Sequence, residues 1–157
     1  MIKTATAEDG DDIRRITSTS GFFSLDEVAT VDELWDEYTL RGTQASGYYF
    51  IVFKDEGKIL GFACYGPHPL TQSTYDLYWI ITAKDAKGRG VGKALMTQVE
   101  QKVAAFGGTL LIAETSGREL YASTRGFYEG IGYLKEAVIR DFYAPGDDLV
   151  MYTKKLG

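Results

Sequence analysis

Three glycines at alternate positions, Gly88, Gly90 and Gly92, interrupt the run Lys84-Asp85-Ala86-Lys87-Gly88-Arg89-Gly90-Val91-Gly92-Lys93. On their N-terminal side, Ser73 to Thr82 (STYDLYWIIT) alternates Tyr75, Leu77, Trp79 and Ile81 onto one face, the period of a strand. On their C-terminal side, Val91, Leu95, Val99 and Val103 recur every four residues with Ala94 beside them, the period of an amphipathic helix. Gly107-Gly108 ends that helix. Thr109 to Ala113 (TLLIA) follows as a short, wholly apolar strand, expected to be buried on both faces. Strand, loop, helix and strand make a βαβ crossover, so the chain must contain a parallel strand pair with a helix laid across it.

The loop of this crossover also has a chemistry. Glycines let the backbone approach a ligand closely, and the free amides and dipole of a helix start attract an anion. Lys84, Lys87, Arg89 and Lys93 stand there against one acid, Asp85, in a chain whose 17 basic and 22 acidic residues leave a net charge of −5. A phosphate-bearing ligand follows. The dinucleotide fingerprint GxGxxG is absent, and the P-loop fails as well. Ala94 follows Gly92-Lys93 where a Ser or Thr would hold magnesium, and Lys87 takes the place of the first glycine.

Around the crossover the remaining elements form one unit of 157 residues, with no repeat, linker or low-complexity stretch. Met1 to Ala5 reads as an edge strand, and Thr6-Ala7-Glu8-Asp9 starts a helix. Ser24-x-x-Glu27 and Thr30-x-x-Glu33 are two capping boxes, which predict short helices across 24–41 ended by Arg41-Gly42. Tyr48 to Lys54 and Lys58 to Tyr65 form a hairpin around Asp55-Glu56-Gly57. A helix over 118–130 closes at Gly130 or Gly132, and Tyr133 to Tyr143 and Leu149 to Lys155 flank Ala144-Pro145-Gly146 as a final strand pair. The order β-α-α-β-β-β-α-β-α-β-β describes an α/β fold, a mixed sheet with helices on its faces.

KGRGVGKAL, with Lys87, Gly90 and Gly92 in the matching places, resembles the acetyl-CoA pyrophosphate loop (Q/R-x-x-G-x-G/A) of the GNAT N-acetyltransferase superfamily. Arg125 to Tyr133 (RGFYEGIGY) is similar to the same family's A-x-x-F-Y-E-K-x-G-F helix and turn. Three departures stand out: Lys87 for the usual Gln or Arg, Lys84 for a frequent proline, and Tyr121 for an Asn that contacts pantetheine in many members.

The resemblance implies a single-domain GNAT-like fold over 1–157, with a mostly antiparallel mixed sheet and its one parallel βαβ unit at the cofactor cleft. It implies that amides of Gly88, Arg89, Gly90, Val91 and Gly92 hold the pyrophosphate of acetyl-CoA while Lys87, Arg89 and Lys93 supply charge. Pantetheine would add as a strand beside Ile80, Ile81 and Thr82. Glu114 would be the general base, with Asp76 in reserve, and Tyr128 the general acid toward the departing thiolate. The activity implied is acetyl transfer to a primary amine of a small molecule or peptide, by direct attack in a ternary complex. A non-catalytic acyl-CoA-binding or sensor module is the alternative, against which the presence of both Glu114 and Tyr128 argues.

Other features are weaker. His68 in Gly66-Pro67-His68-Pro69 has no second His or Cys pair nearby, so a surface-loop residue is expected and no metal site. Cys64 lies in an apolar strand and reads as packing. The acids of 22–41, Asp32, Glu33, Asp36 and Glu37 among them, are either a solvated helix face or a rim attracting an amine. Asp147-Asp148 is either a polar turn or part of the acceptor site. The acidic charge disfavours nucleic acid as a partner. No run of about 20 apolar residues predicts a membrane span. MIKTATAEDG has no signal-peptide pattern, and a cytoplasmic protein is expected. A homodimer is left open.

Overall fold

The computed structural model describes residues 1–157. Seven strands share one sheet: β1 (Ile2–Thr4), β2 (Tyr49–Asp55), β3 (Lys58–Pro67), β4 (Thr74–Thr82), β5 (Leu110–Ser116), β6 (Leu134–Ala144) and β7 (Asp147–Lys155). Their spatial order is β1-β2-β3-β4-β5-β7-β6, and only β4 and β5 are parallel. The helices are α1 (Gly10–Thr19), α2 (Leu25–Ser46), α3 (Val91–Ala105) and α4 (Ala122–Gly130). Element order and the parallel pair match the sequence reading. The α3 stripe Val91, Leu95, Val99 and Val103 is buried against the sheet, as its spacing requires.

Three details differ from expectation. Ser24 and Glu27 do cap α2, the Glu27 amide donating to Ser24 Oγ at 3.2 Å and the Ser24 amide to Glu27 Oε1 at 3.3 Å. Thr30, however, starts no second helix. Its hydroxyl donates back to the Asp26 carbonyl at 2.9 Å, inside one long helix. Gly42, with φ 78° and ψ 175°, breaks the helix where Arg41-Gly42 was expected to end it, and a short second piece of α2 continues beyond the kink to Ser46.

The second difference lies in β4. Its pairing with β3 passes from Cys64↔Trp79 to Tyr65↔Leu77, skipping Tyr78. This bulge breaks the alternation on which a common face for Tyr75, Leu77, Trp79 and Ile81 depended, and only Leu77 and Ile81 are buried.

The third follows from it. The β4–β5 ladder runs from Thr74↔Leu110 to Leu77↔Ala113 and stops at the bulge. Beyond that point β4 stays paired to β3 as far as Thr82↔Gly61, while β5 stays paired to β7 as far as Ser116↔Leu149. Each strand is therefore held on its far side while the two diverge. Leu111 and Ala113 are fully buried, but Ile112 faces the resulting gap, so TLLIA is not covered on both faces. Cys64 is wholly buried, and desolvation pushes its thiol well up from the usual range. It is a packing residue.

Candidate active site

The gap between the diverging strands opens into a cleft of about 1170 Å³. Single small-molecule pockets span roughly 300–1,000 Å³, so this one has room for a large ligand and a second reactant. Along β4 beyond Leu77, the backbone groups on the side toward β5 have no partner strand, the arrangement that accepts an extended chain by strand addition. Ile80, Ile81 and Thr82 line that wall.

At one end lies the glycine loop. Gly90 caps α3 in the left-handed region, φ 77°, and its carbonyl takes the first helical hydrogen bond from the Ala94 amide at 3.0 Å. A side chain at Gly90 would be strained by that φ, although nothing occupies the space around it. Gly92 serves differently. A Cβ there would stand 3.3 Å from the Phe127 ring, so its absence lets the start of α3 close on α4.

Lys87, Gly88, Gly90, Val91, Gly92 and Lys93 all line the cleft. Arg89 does not. Its guanidinium donates to Asp55 Oδ2 at 3.2 Å on the exposed side of the loop, so the fold leaves it only its backbone to offer the cleft. Lys87 places its ammonium 4.6 Å from the centre of the Phe22 ring. Tyr121 in turn donates its hydroxyl to the Phe22 carbonyl at 2.8 Å. Phe22, between α1 and α2, is thus strapped to both walls.

Further along, Glu114 and Tyr128 line the same cleft. The strand bearing Glu114 continues two residues beyond it to Ser116, so the carboxylate stands on the cleft wall rather than at the strand end. Desolvation by the walls, and after it the charge of Asp76, raise the Glu114 carboxyl above the usual glutamate range, while His68 pulls it back down. Tyr128 is buried, and desolvation pushes its phenol well up, so it carries its proton throughout the working pH range. Its hydroxyl makes no hydrogen bond within the protein, yet no sealed side-chain polar atom lacks a partner. The hydroxyl therefore opens on the cleft. The rest of the FYEGIGY segment is structural: Glu129 accepts from the Tyr152 hydroxyl at 2.7 Å, and Tyr133 donates to Glu100 at 2.8 Å.

His68, expected as a surface-loop residue, lines the cleft, and its Nδ1 lies 2.7 Å from Asp76 Oδ2. The Asp147-Asp148 pair, left open between a turn and the acceptor site, is divided: Asp147 lines the cleft, fixed by the Ser116 hydroxyl and by Arg118 at 3.4 Å. Asp148 instead accepts the Asp141 amide at 3.0 Å, so it serves the turn. Tyr143 completes that end, its phenol pushed up to about 12 by burial and by the charges of Glu114 and Asp147. Of the acids on α2 only Glu27 lines the cleft. Asp32 and Asp36 pair with Arg14 at 2.9 and 3.1 Å, Glu37 pairs with Arg41 at 3.2 Å, and neither they nor Glu33 line the cleft.

The profile of the acetyltransferase (GNAT) family matches residues 11–133. A crystal structure from Desulfovibrio desulfuricans, assigned to that family, is 40% identical and superposes with a TM-score of 0.96 over 100% of this chain and 99% of that one. The Escherichia coli ribosomal-protein-S18-alanine N-acetyltransferase shares the fold at 18% identity, with a TM-score of 0.80 over 100% of this chain and 94% of its own. So does yncA of Salmonella typhimurium, solved with its cofactor acetyl-CoA, at 17% identity and a TM-score of 0.81 over 100% and 94%. No curated protein matches the sequence. Sequence profile, identity across the whole length and the splayed parallel pair agree: the chain belongs to the GNAT acetyltransferase family.

Proposed function

We propose that residues 1–157 form a single N-acetyltransferase unit that moves the acetyl group of acetyl-CoA to a primary amine of a small molecule or peptide. The observation that carries this reading is the divergence of β4 and β5 after Leu77 and Ala113, with the glycine loop, Glu114 and Tyr128 all lining the gap. In this reading the pyrophosphate rests on the amides from Gly88 to Gly92, with Lys87 and Lys93 as countercharges. Binding there means Lys87 exchanges its contact with the Phe22 ring for phosphate. Pantetheine lies along Ile80, Ile81 and Thr82 as an added strand.

Both reactants then occupy the cleft together, and the amine attacks the thioester directly. Most amines are protonated near neutral pH, so a proton must leave before nitrogen can attack. Glu114 takes it, and its raised carboxyl makes it the better base. Tyr128 gives its proton to sulfur as the C–S bond breaks. Burial makes this phenol a weaker acid than in water, so the transfer is late, completed only as thiolate charge develops. The reaction needs no metal, and no helix is long and apolar enough to cross a membrane. The cytoplasm, where acetyl-CoA is supplied, is the compartment of this reading.

The test is thiol release from acetyl-CoA by the purified protein across a panel of amines: polyamines, amino acids, amine antibiotics, peptide N-termini and lysines. Turnover with at least one amine, and a mass increase of one acetyl group on it, is the expected result. Acetyl-CoA binding without acetylation of any amine would favour the sensor module instead.

A further inference from the structure

His68, the residue just past the end of β3, Asp76 of β4 and Glu114 of β5 stand on one face of the sheet. Asp76 pairs with Gly66 of β3 on one side and with Ile112 of β5 on the other. The His68 amide continues the first ladder by donating to the Thr74 carbonyl at 2.9 Å. His68 lies two residues beyond Gly66, and Glu114 two beyond Ile112. Side chains two apart on a strand share a face, so the three are diagonal neighbours in a row. Their proximity shows in Glu114, whose carboxyl feels both Asp76 and His68.

We propose that His68, held by Asp76, is a second proton acceptor of the transfer and its outlet to solvent; the proposal rests on the amine-acetylation reading above. The balance of the reaction calls for one. An ammonium nitrogen loses two protons as its C–N bond forms and the C–S bond breaks. One restores the proton that Tyr128 gives to sulfur, and the other is released. Glu114 holds one proton at a time. Without a second acceptor it must discharge between the two losses, inside a cleft that both reactants fill.

The His68–Asp76 geometry meets that need. Asp76 accepts from Nδ1–H, which leaves the lone pair of Nε2 free. The Asp76 carboxylate also offsets the charge that the ring gains on protonation. The Asp76 side chain is only 16% exposed and the His68 side chain 48%, so the carboxylate is sheltered while the ring spans from the cleft to water. A proton accepted on the inner side has a short way out.

The experiment is steady-state turnover of His68→Ala with an amine that the wild type acetylates, at saturating acetyl-CoA, with and without free imidazole. The expected result is a fall in kcat of about a hundredfold, in the range of general base catalysis. Added imidazole should recover at least fivefold of it in His68→Ala but nothing in Glu114→Gln, and acetyl-CoA affinity by calorimetry should be unchanged. Asp76→Asn should lower kcat less than His68→Ala and gain nothing from imidazole. Unchanged kcat in His68→Ala would overturn the proposal, as would a loss that imidazole leaves untouched. A wild type that acetylates no amine fails the earlier reading instead, before any variant is made.

Discussion

The two ends of the cleft are built on opposite plans. The end proposed for the cofactor comes largely from one segment, Ala86 to Lys93, and presents mainly backbone. The end proposed for the acceptor gathers Glu27, His68, Asp76, Glu114, Tyr143 and Asp147 from α2, the loop after β3, β4, β5, β6 and β7, and relies on their side chains. A backbone site depends on conformation, so it tolerates changed side chains but not lost glycines. A side-chain site depends on what each strand happens to carry, so it can be re-specified without touching the fold. One cofactor and many acceptors is the pattern such a division permits.

The strongest challenge to this division falls on Tyr128, where the two ends meet. Tyr128→Phe removes a hydroxyl that bonds nothing in the protein, so the packing against Phe127, Tyr133 and Tyr152 and the melting temperature should stay as they are. We expect kcat to fall ten- to a thousandfold with acetyl-CoA affinity nearly unchanged, a loss confined to the transition state. Full turnover in this variant would leave the chemistry to positioning alone.

Gly90→Asp attacks only the cofactor end. It adds an anion where phosphate is expected and forces a side chain into φ 77°. Calorimetry should show acetyl-CoA binding weakened at least tenfold, about 1.4 kcal/mol, while KM for the amine holds. Arg89→Ala is the matched control. Its guanidinium is turned toward Asp55, so a change below threefold is expected.

Glu114→Gln belongs to the acceptor end and is read in pH. The raised carboxyl is deprotonated, and so able to accept a proton, only above a pH higher than an ordinary glutamate needs. As pH falls, wild-type kcat/KM should therefore decline early. In Glu114→Gln that acid limb should vanish and the plateau should drop. An unaltered profile would remove Glu114 from the proton path.

How far each end was legible follows from the same division. Local signals show the loop, the α3 stripe and the FYEGIGY segment, because glycine spacing and helical period act within ten or fifteen residues. The splay beside Ile80 to Thr82 was implied only by the family resemblance, not by any local pattern, since it depends on the Tyr78 bulge and a strand pattern read alone cannot tell which pairs will be skipped. His68 was invisible for a related reason. It stands in a loop between prolines, and only the β3–β4 register brings it to Asp76. Asp147 and Asp148 are adjacent and chemically identical, yet one faces the cleft and the other pins a turn. Strand alternation separates them, but nothing in the sequence tells which parity faces inward.

The smallest effect expected is the sharpest on the acidic helix. By charge alone Glu27, Asp32, Glu33, Asp36 and Glu37 are equivalent candidates to attract a cationic acceptor, but the structure divides them. Glu27 faces the cleft, Asp32 and Asp36 are partnered by Arg14, and Glu37 by Arg41. An exposed ion pair contributes little to stability, about 0–1 kcal/mol, but its cation offsets part of the carboxylate's field outside the pair. Charge reversal at Glu27 should therefore raise KM for a cationic amine two- to fivefold, and less at higher salt, since screening sets in beyond roughly 8 Å at physiological ionic strength. Reversal at Asp36 leaves Arg14 with Asp32 and should change KM by less than half as much at any salt. If both variants shift KM alike, the amine senses the overall charge of α2 rather than the one carboxylate that reaches it, and the acceptor end is less local than its geometry suggests.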